Sequence, residues 1–154
     1  MAAASPNLTG TTTQDERTMA VLAHVLQVVG WWIAPLIIFL VKRESRFVSF
    51  HALQVLFLQI AYMLTAGIFV VLWFVGFFVL VATMPATKSA NPPVAIFMFF
   101  PLIWLGFIGL WAVVLTTAVV YGIKAGRGEW AAYPVVGKLA RNVLKIGPTG
   151  APLV

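Results

Sequence analysis

Three long apolar stretches, Met19 to Val41, Phe47 to Thr83 and Val94 to Ile123, contain no Asp, Glu, Lys or Arg. A helix needs ~20 apolar residues to cross the ~30 Å hydrocarbon layer of a bilayer, and within lipid a helix satisfies its own backbone. Each stretch is long enough. The pattern predicts an all-α integral membrane protein, a bundle of three transmembrane helices followed by a C-terminal amphipathic interfacial helix. Spans are expected at about residues 19–41, 50–83 and 94–123, and the amphipathic helix at about 134–146. The whole of 14–146 reads as a single helical membrane domain, with a disordered tail over 1–13 and a frayed end over 147–154. The second stretch would be about 55 Å long if helical throughout. A fourth span results if it crosses twice.

Composition agrees with a membrane setting, since 62% of residues are hydrophobic and 9% charged. There is no cysteine, which removes disulfides, thiolate nucleophiles and cysteine-held metal clusters. The net charge of +6 lies beside the apolar stretches rather than on a globular face. It therefore reads as membrane orientation, with anionic lipid headgroups and not nucleic acid as the partner. The first residues lack the basic start of a secretion signal, so the first stretch is expected to be retained. The run Thr13-Gln-Asp-Glu16 predicts a helix start, with Thr13 as N-cap and Glu16 as its partner in a capping box.

If each stretch crosses once, the basic residues in successive non-membrane segments number one, three, one and five. Cytoplasmic loops carry the excess of Lys and Arg. This places the N-terminus outside and the C-terminus in the cytoplasm of a plasma (inner) membrane. Pro85, Asn91, Pro92 and Pro93 predict a turn between the second and third stretches. Lys138, Arg141, Asn142 and Lys145 fall on one side of the last helix, and Val136, Leu139, Val143, Leu144 and Ile146 mostly on the other.

Polar residues inside the stretches are few. His24 with Gln27, and His51 with Gln54, are each spaced i, i+3 and so share a helix face. Imidazole is a good ligand for iron or copper. With three crossings, however, His24 lies near the outer end of one span and His51 near the inner end of the next. The expectation is therefore no metal, no cofactor and hydrogen bonds between helices. The acids Asp15, Glu16, Glu44 and Glu129 are scattered at membrane edges. No Gly-x-Ser-x-Gly, phosphate-cradling glycine loop or His-Glu-x-x-His occurs, so no enzyme activity is expected. Ala118, Gly122 and Gly126 form a small-residue ladder that admits a close helix neighbour. Trp130 and Tyr133 read as an inner aromatic belt.

Three segments in order carry a resemblance. They are Asp15-Glu-Arg-Thr-Met-Ala-Val-Leu-Ala-His24, then Pro35-Leu-Ile-Ile with Lys42-Arg-Glu-Ser and Phe50-His-Ala-Leu-Gln54, and last Lys124-Ala-Gly-Arg-Gly-Glu-Trp130 with Tyr133-Pro134. Together they resemble an uncharacterised family of small bacterial and archaeal membrane proteins similar to the twenty-kilodalton import component of the chloroplast inner envelope. The resemblance implies a helical bundle, no known enzyme activity and a link to protein translocation.

Two functions fit. The first is a non-catalytic membrane protein that packs with other membrane proteins, as an accessory or translocation-associated subunit. The second is a small homo-oligomeric channel or carrier, lined by His24, Gln27, Gln54, Gln59 and Thr65. The positions singled out for function or helix contact are His24, Gln27, His51, Gln54, Gln59, Gly122, Gly126, Glu129 and Tyr133.

Overall fold

The computed structural model describes residues 12–83 and 94–153. The expected tail over 1–11 and the proline-rich connection 84–93 lie outside the described residues. Five helices follow in order, α1 (Gln14–Gly30), α2 (Ile33–Val41), α3 (Arg46–Thr83), α4 (Val94–Gly126) and α5 (Val136–Leu144). They are grouped in two compact units. One holds the chain up to Ile60 and from Val114 onward, and the other holds Ala61–Val113. Two helices, α3 and α4, are long and apolar enough to cross a membrane.

The first apolar stretch is not one continuous helix. It breaks after Gly30, and Trp31 takes a positive φ of 51°, a conformation that is unusual for a bulky residue. Pro35 is the physical reason. It has no N–H for the Trp31 carbonyl, and in a continuous helix its ring would collide with that same carbonyl four residues back. In the first turn of α2 the missing donor costs nothing. Gly30 permits the close return, because a Cβ there would lie 2.8 Å from the Cβ of Ala34.

The chain then doubles back until its two ends meet. Lys42 Nζ lies 2.8 Å from Asp15 Oδ2, and Ser45 Oγ donates to Glu16 Oε1 at 2.7 Å. Thr12 also approaches the turn after α4, since a Cβ on Gly128 would lie 2.6 Å from its Oγ1. The start of α1, the 42–45 turn and the segment after α4 are therefore neighbours. The expected helix over 19–41 is thus two shorter helices, α1 and α2, neither of which is long enough to be a span by itself.

The capping box at the start of α1 forms as expected. Glu16 N donates to Thr13 Oγ1 at 3.2 Å, and Thr13 N donates to Glu16 Oε2 at 2.8 Å. Burial alone would raise the Glu16 carboxyl, but the hydrogen bonds from Ser45 and Thr13 hold it below its usual value. Ser45 also caps α3, accepting from Val48 N at 3.3 Å.

In the first unit, Phe50, Leu53, Ala140 and Ile146 pack together, and Phe47 packs with Ala20 and Ala125. Trp130 touches both groups. The small-residue ladder faces α1. A Cβ on Gly126 would meet Val21 Cγ2 at 3.3 Å, and one on Gly122 would meet His24 Cβ at 3.6 Å. Backbone hydrogen bonds order the segment after α5. Gly147 N donates to Ala151 O at 2.7 Å and Leu153 N to Lys145 O at 2.8 Å.

The second unit is held by aromatic contacts. Trp73 stacks on Phe77 with ring centroids 5.8 Å apart, and its Nε1 donates to Phe99 O at 3.2 Å. Gly106 lies directly under the Phe69 ring. The outward residues of this unit, among them Leu64, Ile68, Phe78, Leu102 and Leu105, are exposed and apolar, as lipid contact requires.

Replacing Thr13 by Ala removes the acceptor for Glu16 N and one arm of the box. Stability is expected to fall by about 1 kcal/mol, measured by thermal unfolding in detergent micelles. An unchanged melting curve would mean that the cap does not form in the folded protein.

Candidate functional site

The polar residues of α1 and α3 converge on the segment that joins α4 to α5. With α1 folded back beside the start of α3, His24 and His51 come face to face, and His24 Nε2 lies 3.0 Å from His51 Nδ1. This corrects the expectation that most of a bilayer separates them. The separation had assumed a straight first span, which Pro35 prevents.

The hydrogen bonds run in one chain whose direction can be assigned. His51 Nε2 is 3.1 Å from the carbonyl oxygen of Glu129. A carbonyl only accepts, so His51 Nε2 carries the proton. In the neutral ring its Nδ1 then accepts, which makes His24 Nε2 a donor and His24 Nδ1 an acceptor. The Tyr133 hydroxyl, 2.9 Å from His24 Nδ1, must donate to it. With both rings neutral, each is the Nε2–H tautomer and each ring nitrogen has a partner. Burial pushes the Tyr133 phenol upward, against the pull of the nearby Gln27 and Thr117 side chains, so its proton stays in place.

Gln54 fastens the same segment from the other side. Its Oε1 accepts from Tyr133 N at 2.6 Å, and its Nε2 donates to Ala131 O at 3.2 Å. Gln59 Nε2 donates to the Gln27 backbone oxygen at 3.2 Å, which supplies one of the carbonyls left open in the last turn of α1. The Gln27 side chain is fully buried. It lies toward Tyr133 but outside hydrogen-bond geometry, so neither of its amide atoms has a partner.

The structure thus joins His24, His51, Gln54 and Tyr133 in one buried network, while Gln59 holds the Gln27 backbone and the buried Gln27 side chain stays outside the network. Gly122 and Gly126 bring α4 close enough to α1 for the network to close. Glu129 contributes through its backbone carbonyl. Tyr133 is 2% exposed, so it is not a lipid-facing belt residue, and the partly buried Trp130 packs edge-on against Phe47 at 5.2 Å.

Several contributors escaped the sequence reading. Tyr121 packs edge-on against Tyr133 at 4.2 Å between centroids. Gly137 gives Gln54 room, since a Cβ there would lie 2.7 Å from Gln54 Oε1. Its position on the packed face of an otherwise good helix former was the available signal. Arg141 reaches inward, and its Nη2 donates to Trp130 O at 3.0 Å.

Chemically this is a latch. Metal ligation by the histidines would need a ring lone pair that now accepts a hydrogen bond. Among the described residues no group of three or more His, Cys, Asp or Glu could hold a metal ion.

Residues 15–140 match the magnetosome magnetite crystal formation protein family, MamF/MmsF. The match covers most of the chain, and the protein belongs to this family. All nine singled-out positions fall inside the matched segment. The family shown is a bacterial membrane family, and the match shows no link to the chloroplast import component. No curated protein and no solved structure matches the chain.

Tyr133→Phe leaves the His24 Nδ1 acceptor buried and unpaired, and should destabilise the protein by roughly 1–3 kcal/mol. Histidine ¹⁵N shifts in the parent protein should report Nε2–H for both rings. An Nδ1–H signal for either one would contradict the assigned direction.

Proposed function

We propose that this member of the crystal-formation family is a non-catalytic membrane protein. It packs with other membrane proteins, or with itself, as an accessory component of the membrane around a growing magnetite crystal. One observation carries this reading. His24, His51, Gln54 and Tyr133 are engaged within the chain in a buried latch, while the surface that α3 and α4 offer is almost entirely apolar. Such a chain offers other molecules helix surface rather than a reacting group.

The channel or carrier reading needs His24, Gln27, Gln54 and Gln59 to face water, and all four are buried. Thr65 belongs to the other unit.

The loop charges support a simpler topology than three crossings. With α3 and α4 each crossing once and the ends of the first stretch together, Arg17, Lys42, Arg43, Arg46, Lys124, Arg127, Lys138, Arg141 and Lys145 share one side. Lys88 alone remains for the other. Nine against one is a stronger bias than the eight against two of the three-span reading, and it puts both ends of the chain in the cytoplasm of an inner membrane. On that side Val135 before α5, and Leu139 and Val143 on it, face outward, flanked by the exposed Lys138 and Lys145, a combination suited to anionic lipid headgroups.

Co-purification of tagged protein from its native membrane in mild detergent tests the reading. A stoichiometric membrane partner or a discrete homo-oligomer is the expected result. Recovery of a lone monomer at native expression level would contradict it.

A further inference from the structure

We infer that α1 and α2 form a re-entrant hairpin, which enters the bilayer from the face that holds its charged ends, returns to that face and buries its tip among acyl chains. The partner of this surface is the hydrocarbon of one leaflet. The inference rests on the reading of the chain as a membrane protein and is independent of any role in crystal formation.

The surface pattern supplies the first argument. Between Thr18 and Lys42 every exposed residue is apolar, including Val25, Val29, Ile33, Ile37, Leu40 and Val41. Val29 at the tip is 88% exposed, and Trp31, Trp32 and Ile33 beside it are exposed as well. Left in water, this would be a continuous apolar patch well beyond what a soluble surface carries. The polar residues of the segment that are not exposed, His24 and Gln27, both turn toward the latch and away from this surface.

Length supplies the second. From Met19 to Gly30 the α1 helix rises ~18 Å, and the nine residues of α2 rise ~14 Å. A hydrocarbon layer of ~30 Å is therefore entered to about half its depth and not crossed. The third argument is the closed base. Asp15 with Lys42, and Glu16 with Ser45, tie both feet of the hairpin together, and charged groups of this kind stay at the water boundary.

An irregular turn in lipid leaves backbone groups without water. Here the Gln59 side chain reaches the Gln27 carbonyl in the last turn of α1, which removes one of the open acceptors at depth. A glutamine inside an apolar helix, donating to the end of its neighbour, is what a tip held in hydrocarbon requires.

The chain has no cysteine, so single-cysteine variants at Thr18, Val29, Ile33, Ile37 and Arg43 give clean labelling sites, and all but Thr18 and Arg43 lie on the exposed apolar surface. Spin labels are placed on each variant in lipid nanodiscs, and relaxation by oxygen is compared with relaxation by a water-soluble nickel chelate. The oxygen-to-nickel ratio should rise from Arg43 through Ile37 to Ile33 and Val29. In vesicles, a maleimide that cannot cross the bilayer should reach Thr18 and Arg43 from the same side, and Val29 and Ile33 from neither. Val29 and Ile33 labels as open to nickel as Arg43 would overturn the inference by placing the tip in water. Labelling of Val29 or Ile33 from the side opposite Arg43 would overturn it by making the segment a crossing. Far-ultraviolet circular dichroism matching the parent protein identifies the variants that are folded, and Val29→Cys and Ile33→Cys provide two independent readings of the tip.

Discussion

A single missing N–H shapes the first third of this protein. Pro35 cannot donate to the Trp31 carbonyl, and its ring crowds that carbonyl, which kinks or breaks a helix; α4 runs on through Pro101, but here the helix breaks. The first apolar stretch therefore ends as α1 at Gly30 and resumes as α2 at Ile33. Once it doubles back, α1 lies beside the start of α3 and the end of α4. The ladder of Ala118, Gly122 and Gly126 then receives α1, and His24 is brought to His51. Without the break, the histidines would sit at different depths and Tyr133 would lose its hydrogen bond to His24.

The latch that results is a matter of hydrogen-bond direction more than of strength. Each bond is worth on the order of 1 kcal/mol net, but an unpaired buried partner costs more than the bond contributes. The Glu129 carbonyl sets the direction at one end, and the Tyr133 hydroxyl completes it at the other. Gln54 adds a second pair of contacts to the same segment. All of these side chains are consumed in holding the chain to itself. What remains for the outside is aliphatic and aromatic surface on the long helices and basic residues around one end. Membership of a membrane family concerned with magnetite crystals fits a protein that contributes surface and placement.

Much of this was legible in the sequence. The capping box at Thr13 and Glu16, the helical nature of all three apolar stretches, a last helix near 134–146 and the pairing of His24 with Gln27 and His51 with Gln54 on one face each follow from spacing and hydropathy. What hydropathy could not show was the reversal inside the first stretch. An apolar run looks the same whether it crosses or returns, and the informative residue was Pro35, read as part of a family pattern and not as a helix stop. The amphipathic split of α5 was half legible. Leu144 and Ile146 pack inward with Ala140, but Leu139 and Val143 point outward. Helix periodicity does not say that a short helix can bury one apolar face in protein and offer a second to lipid. Tyr121 and Gly137 matter only through contacts made across the fold, which no local pattern encodes.

The most direct measurement is the distance between spin labels on cysteines placed at Gln14 and Arg43 in the membrane-reconstituted protein, read by pulsed dipolar spectroscopy. Both positions are exposed, and they flank the Asp15–Lys42 contact of 2.8 Å. A first stretch folded back on itself predicts a narrow distribution centred well below the thickness of the hydrocarbon layer. A distribution centred at ~30 Å or more, the separation that a crossing imposes, would contradict the reversal and with it the meeting of His24 and His51.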